Sequence, residues 1–386
     1  MFFHIGPSKL GNFPVHYQHS NLHINLDSGW HQARDHHGNL LLYKGYLDDY
    51  KIDTKLEEIA AQEEPIFRGN FCLFKLFDQG ISVKSDRARS FPIWYDRADG
   101  INNLIPKDYT VWTDSYIMLL DNFKLVESKF DAIGQVACIE QSLDTVLDKV
   151  DQLLTQKIHE FFDNNKLPVN VFLSGGIDTM LLYSYIKRLG ITHTLINFNH
   201  IDYDYFYLNN HDSLEKFWGY RQIHHWREAC ILVSGAPGDE FTARSPTTAN
   251  MLLKYHGASI PELLRHDWSA QSLHYTYFNN PKYFKIWEEQ AHLSYTSLEH
   301  VIRQCASINL NDWQHWHLGE TLTYTPLRDI EIFKTIASLN KDDLIAQVMD
   351  SLIQKRLIEK NAPELLLGLS IQKNSNNCMA NLTKLL

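Results

Sequence analysis

The stretch VFLSGGIDTMLLYSYIKRLG, at residues 171–190, constrains the fold of this chain most. It begins with apolar residues typical of a buried strand, turns through adjacent glycines and continues as a helix-forming run. Glycine allows a sharp turn and the close approach of a ligand, and the first amides of a helix carry partial positive charge. The stretch therefore predicts a strand, a tight loop and a helix, with the loop facing an anionic group.

The surrounding sequence alternates between strand and helix patterns. Apolar residues recur at three- and four-residue steps over residues 142–162, which predicts a long amphipathic helix. Further strands and helices are predicted at residues 170–173, 180–189, 194–198, 218–229 and 230–233. Such alternation predicts a parallel sheet covered on both faces, with the ligand outside the carboxyl ends of the strands. From Met251 onward the sequence is predicted to be mostly helical.

The first 125 or so residues have a different pattern. Short runs rich in β-branched and aromatic residues, such as NLLLYKGYL, FCLFKLF and GISVKS, are separated by Gly, Asp and Asn. These runs predict a β-rich domain with stacked sheets. The domain boundary is placed near residue 130, in SKFDAIGQ, giving domains at residues 1–130 and 131–386 and an α/β fold class overall.

A second glycine loop, SGAPGDE, follows the strand predicted at residues 230–233. Either loop alone is more often an ordinary turn, but two of them at the ends of neighbouring strands favour nucleotide binding. The donors that the first loop offers to a phosphate or pyrophosphate are amides and hydroxyls. They belong to Ser174, Gly175, Gly176 and Thr179.

Asp178 is unexpected beside a phosphate, because its carboxylate would repel one. The repulsion is removed if a divalent cation lies between them, and Mg²⁺ is usually held by one or two carboxylates plus substrate oxygens. Asp239, in the second loop, is placed to supply the other carboxylate. The two loops together predict a magnesium nucleotide site.

The charge balance limits the class of partner. The formal net charge is −10 and Lys and Arg are not clustered, which argues against a nucleic acid polymer. Neither a membrane-spanning apolar run nor a secretory signal pattern is present, so we expect a cytoplasmic protein with no membrane partner. The five cysteines lack CxxC spacing and are expected to be reduced thiols. The 20 histidines lack HExxH spacing, which favours packing and polar roles over a metal site.

Several motifs resemble those of a known family. SGGIDT is similar to the SGGxDS pyrophosphate loop of the ATP pyrophosphatases, and LVSGAPGDE is similar to the SGxGxDE loop of their asparagine synthetase branch. YTPLRDIEIFKTIASLN resembles that branch's RVPFLD segment, with Pro326, Asp329 and Asn340 in register. RGNFCLFKLFD and DRARSFPIWYD resemble strands of its glutaminase domain. The matching residues there are Gly69, Phe71, Asp78, Asp86, Arg87 and Pro92.

The resemblance to the asparagine synthetase superfamily covers nearly the whole chain and implies its fold. It implies an N-terminal glutaminase-like β-sandwich (αββα) and a C-terminal ATP-pyrophosphatase domain, in which a parallel sheet carries a helical extension. The β-lactam synthetase and lasso-peptide cyclase branches are related.

The same resemblance implies ATP and Mg²⁺ as ligands. The nucleotide would be bound by Leu173, Ser174, Gly175, Gly176, Asp178, Thr179, Asn197, Phe198 and Gly235. Asp178 and Asp239 would be the metal ligands. Asp239 and Lys373 would be catalytic, the lysine stabilising negative charge on the leaving pyrophosphate. A solvated surface lysine is the alternative for Lys373.

Two departures from the family bear on the reaction. The family's glutaminase uses an N-terminal cysteine, whereas this chain has Phe2 and Phe3, and its first cysteine is Cys72. Phenylalanine cannot attack an amide, so we expect no glutamine hydrolysis. Ala236 stands where asparagine synthetases typically have Glu, which weakens aspartate plus ammonia as the reaction.

The sequence thus predicts an ATP-dependent, AMP- and pyrophosphate-forming amide ligase or cyclase. It would adenylate a carboxylate on a small molecule or peptide. Two alternatives stay open: a non-catalytic nucleotide-binding protein, and adenylation of a small nucleoside or carbonyl substrate. The sequence identifies neither the carboxylate nor the amine, and it leaves a homodimer open.

Overall fold

The computed structural model describes parts of both halves of the chain. The described residues are 3–11, 13–62, 67–78, 80–86, 91, 94–96, 100–102, 116–120, 125–129, 140–173, 176–196, 229–235, 238–244 and 321–366. Over these ranges the protein is mixed α/β, with antiparallel sheets first and a parallel sheet later. None of the helices in these ranges is long and apolar enough to cross a membrane. The predicted boundary near residue 130 and the helix predicted at 218–229 lie outside them.

Within the described ranges, the N-terminal part contains eleven antiparallel strands. They are β1 (Phe3–Gly6), β2 (Val15–His19), β3 (Leu22–Leu26), β4 (His31–Arg34), β5 (Leu40–Leu47), β6 (Gly69–Phe77), β7 (Gly80–Ser85), β8 (Trp94–Asp96), β9 (Gly100–Asn102), β10 (Tyr116–Leu120) and β11 (Leu125–Lys129). One sheet has the order β2-β3-β1-β9-β8 and the other β11-β10-β7-β6-β5-β4. A 3₁₀ turn, Ile52–Lys55, leads into helix α1 (Leu56–Ala61).

The two antiparallel sheets stack on a shared core. Along β6 the side chains alternate: Cys72 and Phe74 pack with the first sheet, including Phe3. Phe71 and Leu73 face the other way and pack with α1. Because successive strand residues point to opposite faces, the run of residues 71–74 in β6 is apolar on both sides, with one face on each core. The predicted stacked sheets are confirmed, and three of the predicted runs correspond to β5, β6 and β7.

The C-terminal part is built on a parallel sheet. Its elements are α2 (Leu143–Asn164), β12 (Val169–Phe172), α3 (Ile177–Arg188), β13 (Thr194–Ile196), β14 (Ile231–Val233), α4 (Gly238–Phe241), β15 (Leu322–Tyr324), α5 (Ile330–Ala337), α6 (Lys341–Asp350) and α7 (Leu352–Asn361). The strand order is β13-β12-β14-β15, and all three pairings are parallel. The predicted parallel sheet is therefore confirmed.

Three elements of the C-terminal part can be compared with the sequence prediction. The long helix α2 is confirmed, beginning after Ser142, whose hydroxyl accepts the Thr145 amide. Helix α3 begins three residues before the predicted start of 180, because Gly176 has extended backbone and serves as its N-cap. Beyond Met251, the described residues 321–366 are mostly helical, as predicted, but they also contain β15, a three-residue strand that pairs with β14. So short an element leaves no periodicity to detect.

The two halves meet through an aromatic cluster. Tyr46, at the end of β5, packs its ring 4.8 Å from Phe161 of α2 and 5.4 Å from Tyr324 of β15. Phe161 and Tyr324 stack with centroids 3.7 Å apart and planes 4° from parallel. Tyr46 is 2% exposed and belongs to the main core of the C-terminal half.

Candidate functional site

The carboxyl ends of β12 and β14 bring the two glycine loops side by side. The strands are adjacent and parallel, with Val171 opposite Val233. The chain leaves β12 toward α3 and leaves β14 toward α4, so both loops emerge at the same edge of the sheet. Leu173, predicted to line the site, is buried and donates its amide to Ile196 at 2.9 Å, extending the pairing with β13.

The second loop packs directly on the first turn of α3. A Cβ on Gly235 would lie 2.7 Å from the Thr179 amide nitrogen and 2.9 Å from the Asp178 carbonyl carbon. A Cβ on Gly238 would lie 2.6 Å from the Asp178 Cγ. Real Cβ atoms do not approach so closely, so only glycine fits at either position. The second loop is therefore in contact with the residues that end the SGGIDT motif.

The N-terminus of α3 faces this junction. Its N-cap, Gly176, has φ −75° and ψ 154° and has no side chain with which to cap the first-turn amides. Such amides carry the partial positive charge that attracts anions to helix N-termini. The Thr179 hydroxyl donates to the Gly176 carbonyl at 2.8 Å, so its hydrogen serves the helix and not a phosphate.

Asp178 is held by two nitrogen donors. Arg244 Nη2 donates to its Oδ2 at 2.6 Å, and Gln354 Nε2 donates to its Oδ1 at 3.1 Å. The Asp178 and Arg244 side chains are 13% and 15% exposed, so the ion pair is largely screened from water. Both oxygens of the predicted metal ligand are thus engaged. As it stands, this arrangement does not fit an inner-sphere magnesium ligand, which requires a carboxylate oxygen directed at the ion.

A buried amide network fixes these partners. Gln354 Nε2 also donates to Thr242 Oγ1 at 2.7 Å, and Gln347 Nε2 donates to the Thr242 carbonyl at 2.7 Å and to Gln354 Oε1 at 2.9 Å. Both glutamine side chains are fully buried. Gln347 Oε1 accepts the Ile353 amide at 2.8 Å. The network ties α6 and α7 to the segment that carries Arg244.

Sequence reasoning missed Arg244, Gln347 and Gln354. Arg244 follows Asp239 by only five positions, but an arginine after a glycine loop has no periodic signal. Gln354 lies 176 positions from Asp178, a separation that a single sequence cannot bridge.

The remaining predicted site residues are outside what the structure describes. This holds for Ser174, Gly175, Asn197, Phe198 and Lys373. The backbone of Asp239 belongs to α4, and its side chain is not among those described. The magnesium site therefore stays a prediction. Within the described ranges, His, Cys, Asp and Glu form no group of three or more that could hold a metal ion.

A second charged cluster lies where the halves meet. Lys157 Nζ lies 3.0 Å from Asp48 Oδ2 and 2.8 Å from Asp329 Oδ2, and all three side chains are at least nine-tenths buried. Burial raises the pKa of Asp48 to about 6, against the opposing effect of Lys157. Burial also opposes ionisation of Asp329, yet Lys157 and the Glu331 amide outweigh it and lower the pKa of Asp329.

The residues that carry the third resemblance have structural contacts here. Asp329 is the N-cap of α5 and accepts the Glu331 amide at 2.7 Å. Asn340 is the N-cap of α6 and accepts the Asp343 amide at 3.0 Å. Both are residue types that favour N-caps, so this match is explained by helix capping alone.

A cavity of about 580 Å³ lies on the opposite side of the parallel sheet. Its lining includes Trp30 and Tyr43 of the N-terminal part and Leu322 at the start of β15. It opens at the amino ends of the parallel strands, and no predicted site residue that the structure describes lines it.

No protein-family model matches this chain, and no curated protein matches it significantly.

Proposed function

We propose that this chain is an ATP-dependent ligase of the asparagine synthetase type, forming AMP and pyrophosphate and lacking glutaminase activity. One observation carries the proposal: two glycine loops pack against each other at the carboxyl edge of a parallel sheet, over the N-terminus of α3. In open α/β sheets this edge is where ligands bind. Glycine at the contact and the first-turn amides of a helix suit the phosphates of a nucleotide.

The proposed reaction has two steps. A substrate carboxylate attacks the α-phosphorus of ATP, and the bond to the β-phosphate oxygen breaks, giving an acyl-adenylate and pyrophosphate. An amine then attacks the acyl carbon, AMP leaves, and the amine loses a proton. In this chain the first-turn amides of α3 would stabilise the negative charge that develops on the leaving pyrophosphate.

The N-terminal half supports a glutaminase-like sandwich that no longer hydrolyses glutamine. Two stacked antiparallel sheets with α1 outside them are compatible with the αββα layers that the resemblance implies. Phe3 is fully buried, with its ring 5.0 Å from that of Phe74 and 6.0 Å from that of Trp30. A side chain packed in this way near the start of β1 contributes to the core and offers no nucleophile.

A second candidate is a non-catalytic nucleotide-binding protein. The contact between Asp178 and Arg244 favours it, because an engaged carboxylate is less available for metal-assisted chemistry. This candidate shares ATP binding with the first and differs only in turnover.

The deciding experiment is ATP–pyrophosphate exchange scanned over a panel of amino acids, β-amino acids and peptides. We expect one class of carboxylic acid to stimulate exchange. Asp178→Ala, which removes the carboxylate that holds Arg244 at the first turn of α3, should reduce that exchange at least 100-fold. Asp163→Ala, which removes an exposed carboxylate from α2, is the matched control and should leave the exchange rate unchanged. ATP binding without exchange for any acid would favour the non-catalytic candidate. Glutamate released from added glutamine would contradict the assignment of the first domain.

A further inference from the structure

We infer that Arg244 supplies the positive charge beside the nucleotide phosphates that the sequence assigns to a magnesium ion at Asp178. The inference rests on the proposed nucleotide site and identifies the group that neutralises the charge of Asp178 there. Arg244 Nη2 lies 2.6 Å from Asp178 Oδ2, at the first turn of the helix whose amides would face the phosphates.

Among the described residues, the neighbours of Asp178 do not fit an inner-sphere magnesium ligand. Gln354 Nε2 occupies its Oδ1 at 3.1 Å, and Arg244 occupies its Oδ2. The backbone of Gly238 closes another side, since a Cβ there would lie 2.9 Å from Oδ2. Mg²⁺ demands near-octahedral coordination with oxygens at about 2.0–2.1 Å and retains several waters. Among the described residues, nitrogen donors contact both oxygens of the Asp178 carboxylate and Gly238 packs against it, so neither oxygen is directed at such an ion.

The backbone is shaped to direct Arg244 at this point. Ala243, immediately before it, has φ 56°, a left-handed conformation that non-glycine residues rarely adopt. The buried amides of Gln347 and Gln354 hold the adjacent Thr242 through its carbonyl and hydroxyl. A strained residue fixed by buried hydrogen bonds indicates that the direction of the Arg244 side chain is built into the fold.

The charge arithmetic favours a guanidinium at this position. Without Arg244, Asp178 would place a negative charge beside a triphosphate that is itself strongly negative. With it, the pair is neutral, and a guanidinium is suited to phosphate oxygens because its donors lie in one plane. The chain would then bind ATP with little need for a metal at this position.

The test measures ATP binding by isothermal titration calorimetry on the full chain, with Mg²⁺ or with EDTA. We expect wild-type protein to bind ATP in EDTA within about threefold of its affinity in Mg²⁺. Arg244→Ala should weaken binding in EDTA at least tenfold, and Mg²⁺ should restore part of it because Asp178 becomes available. Arg244→Lys should lie between the two. The matched control is Arg188→Ala. It removes a guanidinium that lies in the last turn of α3 and contacts Asp151 of α2.

Electron paramagnetic resonance of Mn²⁺ without nucleotide is the second readout. We expect that any Mn²⁺ bound by wild-type protein remains bound in Asp178→Asn. Arg244→Ala should gain a Mn²⁺ site that depends on Asp178. A wild-type affinity for ATP that falls more than tenfold in EDTA would overturn the role of Arg244 without needing any variant to fold. Mn²⁺ binding by wild-type protein that Asp178→Asn abolishes would overturn it as well. Absence of ATP binding under both conditions would instead refute the proposed function, and the inference with it.

Discussion

At the residue scale, the site depends on glycines that touch the helix they face. Gly235 and Gly238 are surrounded by backbone and carboxylate atoms of residues 178 and 179, at distances that a methyl group could occupy only by moving α3. The resemblance of the LVSGAPGDE motif predicts that Gly235 belongs to the nucleotide loop. The structure adds a separate reason for glycine, which is packing between the loops.

Gly235→Ala is therefore expected to destabilise the protein. The new Cβ would clash with the Thr179 amide, and overpacking of this kind costs about 1–3 kcal/mol. Urea unfolding followed by circular dichroism measures the change. Gly11→Ala is the control, because no atom lies within 4 Å of a Cβ at that position. Equal stability of the two variants would show that the loops are not in contact.

At the scale of elements, α5 is fixed by one residue with two partners. Asp329 accepts the Glu331 amide at 2.7 Å as an N-cap and contacts Lys157 of α2 at 2.8 Å. The side chain thus joins the start of one helix to the middle of another. The N-cap of α6, Asn340, has the capping role without the buried ion pair.

Replacing Asp329 should separate these contributions. Asp329→Ala loses the cap and one of the two carboxylates that contact Lys157, so it should cost more than the roughly 1 kcal/mol of a lost cap alone. Asp329→Asn keeps the cap and should cost less. Asn340→Ala loses a cap alone and should cost about 1 kcal/mol. Urea unfolding of all three measures the order. If Asp329→Ala cost no more than Asn340→Ala, the ion pair with Lys157 would contribute nothing.

How far the elements could be predicted follows from their length and from the span of their contacts. The 22 residues of α2 repeat their apolar pattern several times, so the helix is visible in the sequence. The three residues of β15 are not, because their neighbour β14 precedes them by about 90 positions. Likewise, Asp178 is predictable from its loop, whereas Gln354 contacts it from a helix 176 positions later in the chain.

At the scale of the whole molecule, the halves share a buried net charge. Asp48 comes from the N-terminal part, and Lys157 and Asp329 from the C-terminal part. One cation between two carboxylates leaves an excess negative charge in a dry interface. A raised pKa of about 6 for Asp48 is the response, because protonation removes that excess.

Stability should consequently depend on pH through Asp48. Its pKa is about 6 when folded and 3.8 as a free side chain, so the folded state holds the proton more tightly. Its stabilising contribution is fully present below pH 3.8 and is lost as the pH rises through about 6, a change of about 2–3 kcal/mol. Asp48→Asn removes this titration. The free energy of unfolding of wild-type protein minus that of the variant should fall between pH 4 and 7.

Denaturant unfolding at half-unit pH steps measures that difference. Subtracting the variant removes groups that titrate in both proteins, including Asp329, whose lowered pKa acts in the opposite direction at lower pH. A difference that stays constant across this range would mean that folding does not raise the pKa of Asp48.

The position of Tyr46 means that the division of the chain in sequence is not a division in space. Its ring completes the core of the C-terminal half, while its hydroxyl accepts the Thr325 amide at 3.2 Å. An excised C-terminal fragment would expose the stacked rings of Phe161 and Tyr324 and would lose the Asp48 contact to Lys157. The first half is therefore retained as part of the scaffold of the second, whatever chemistry it performs itself, and truncation is the wrong way to study either.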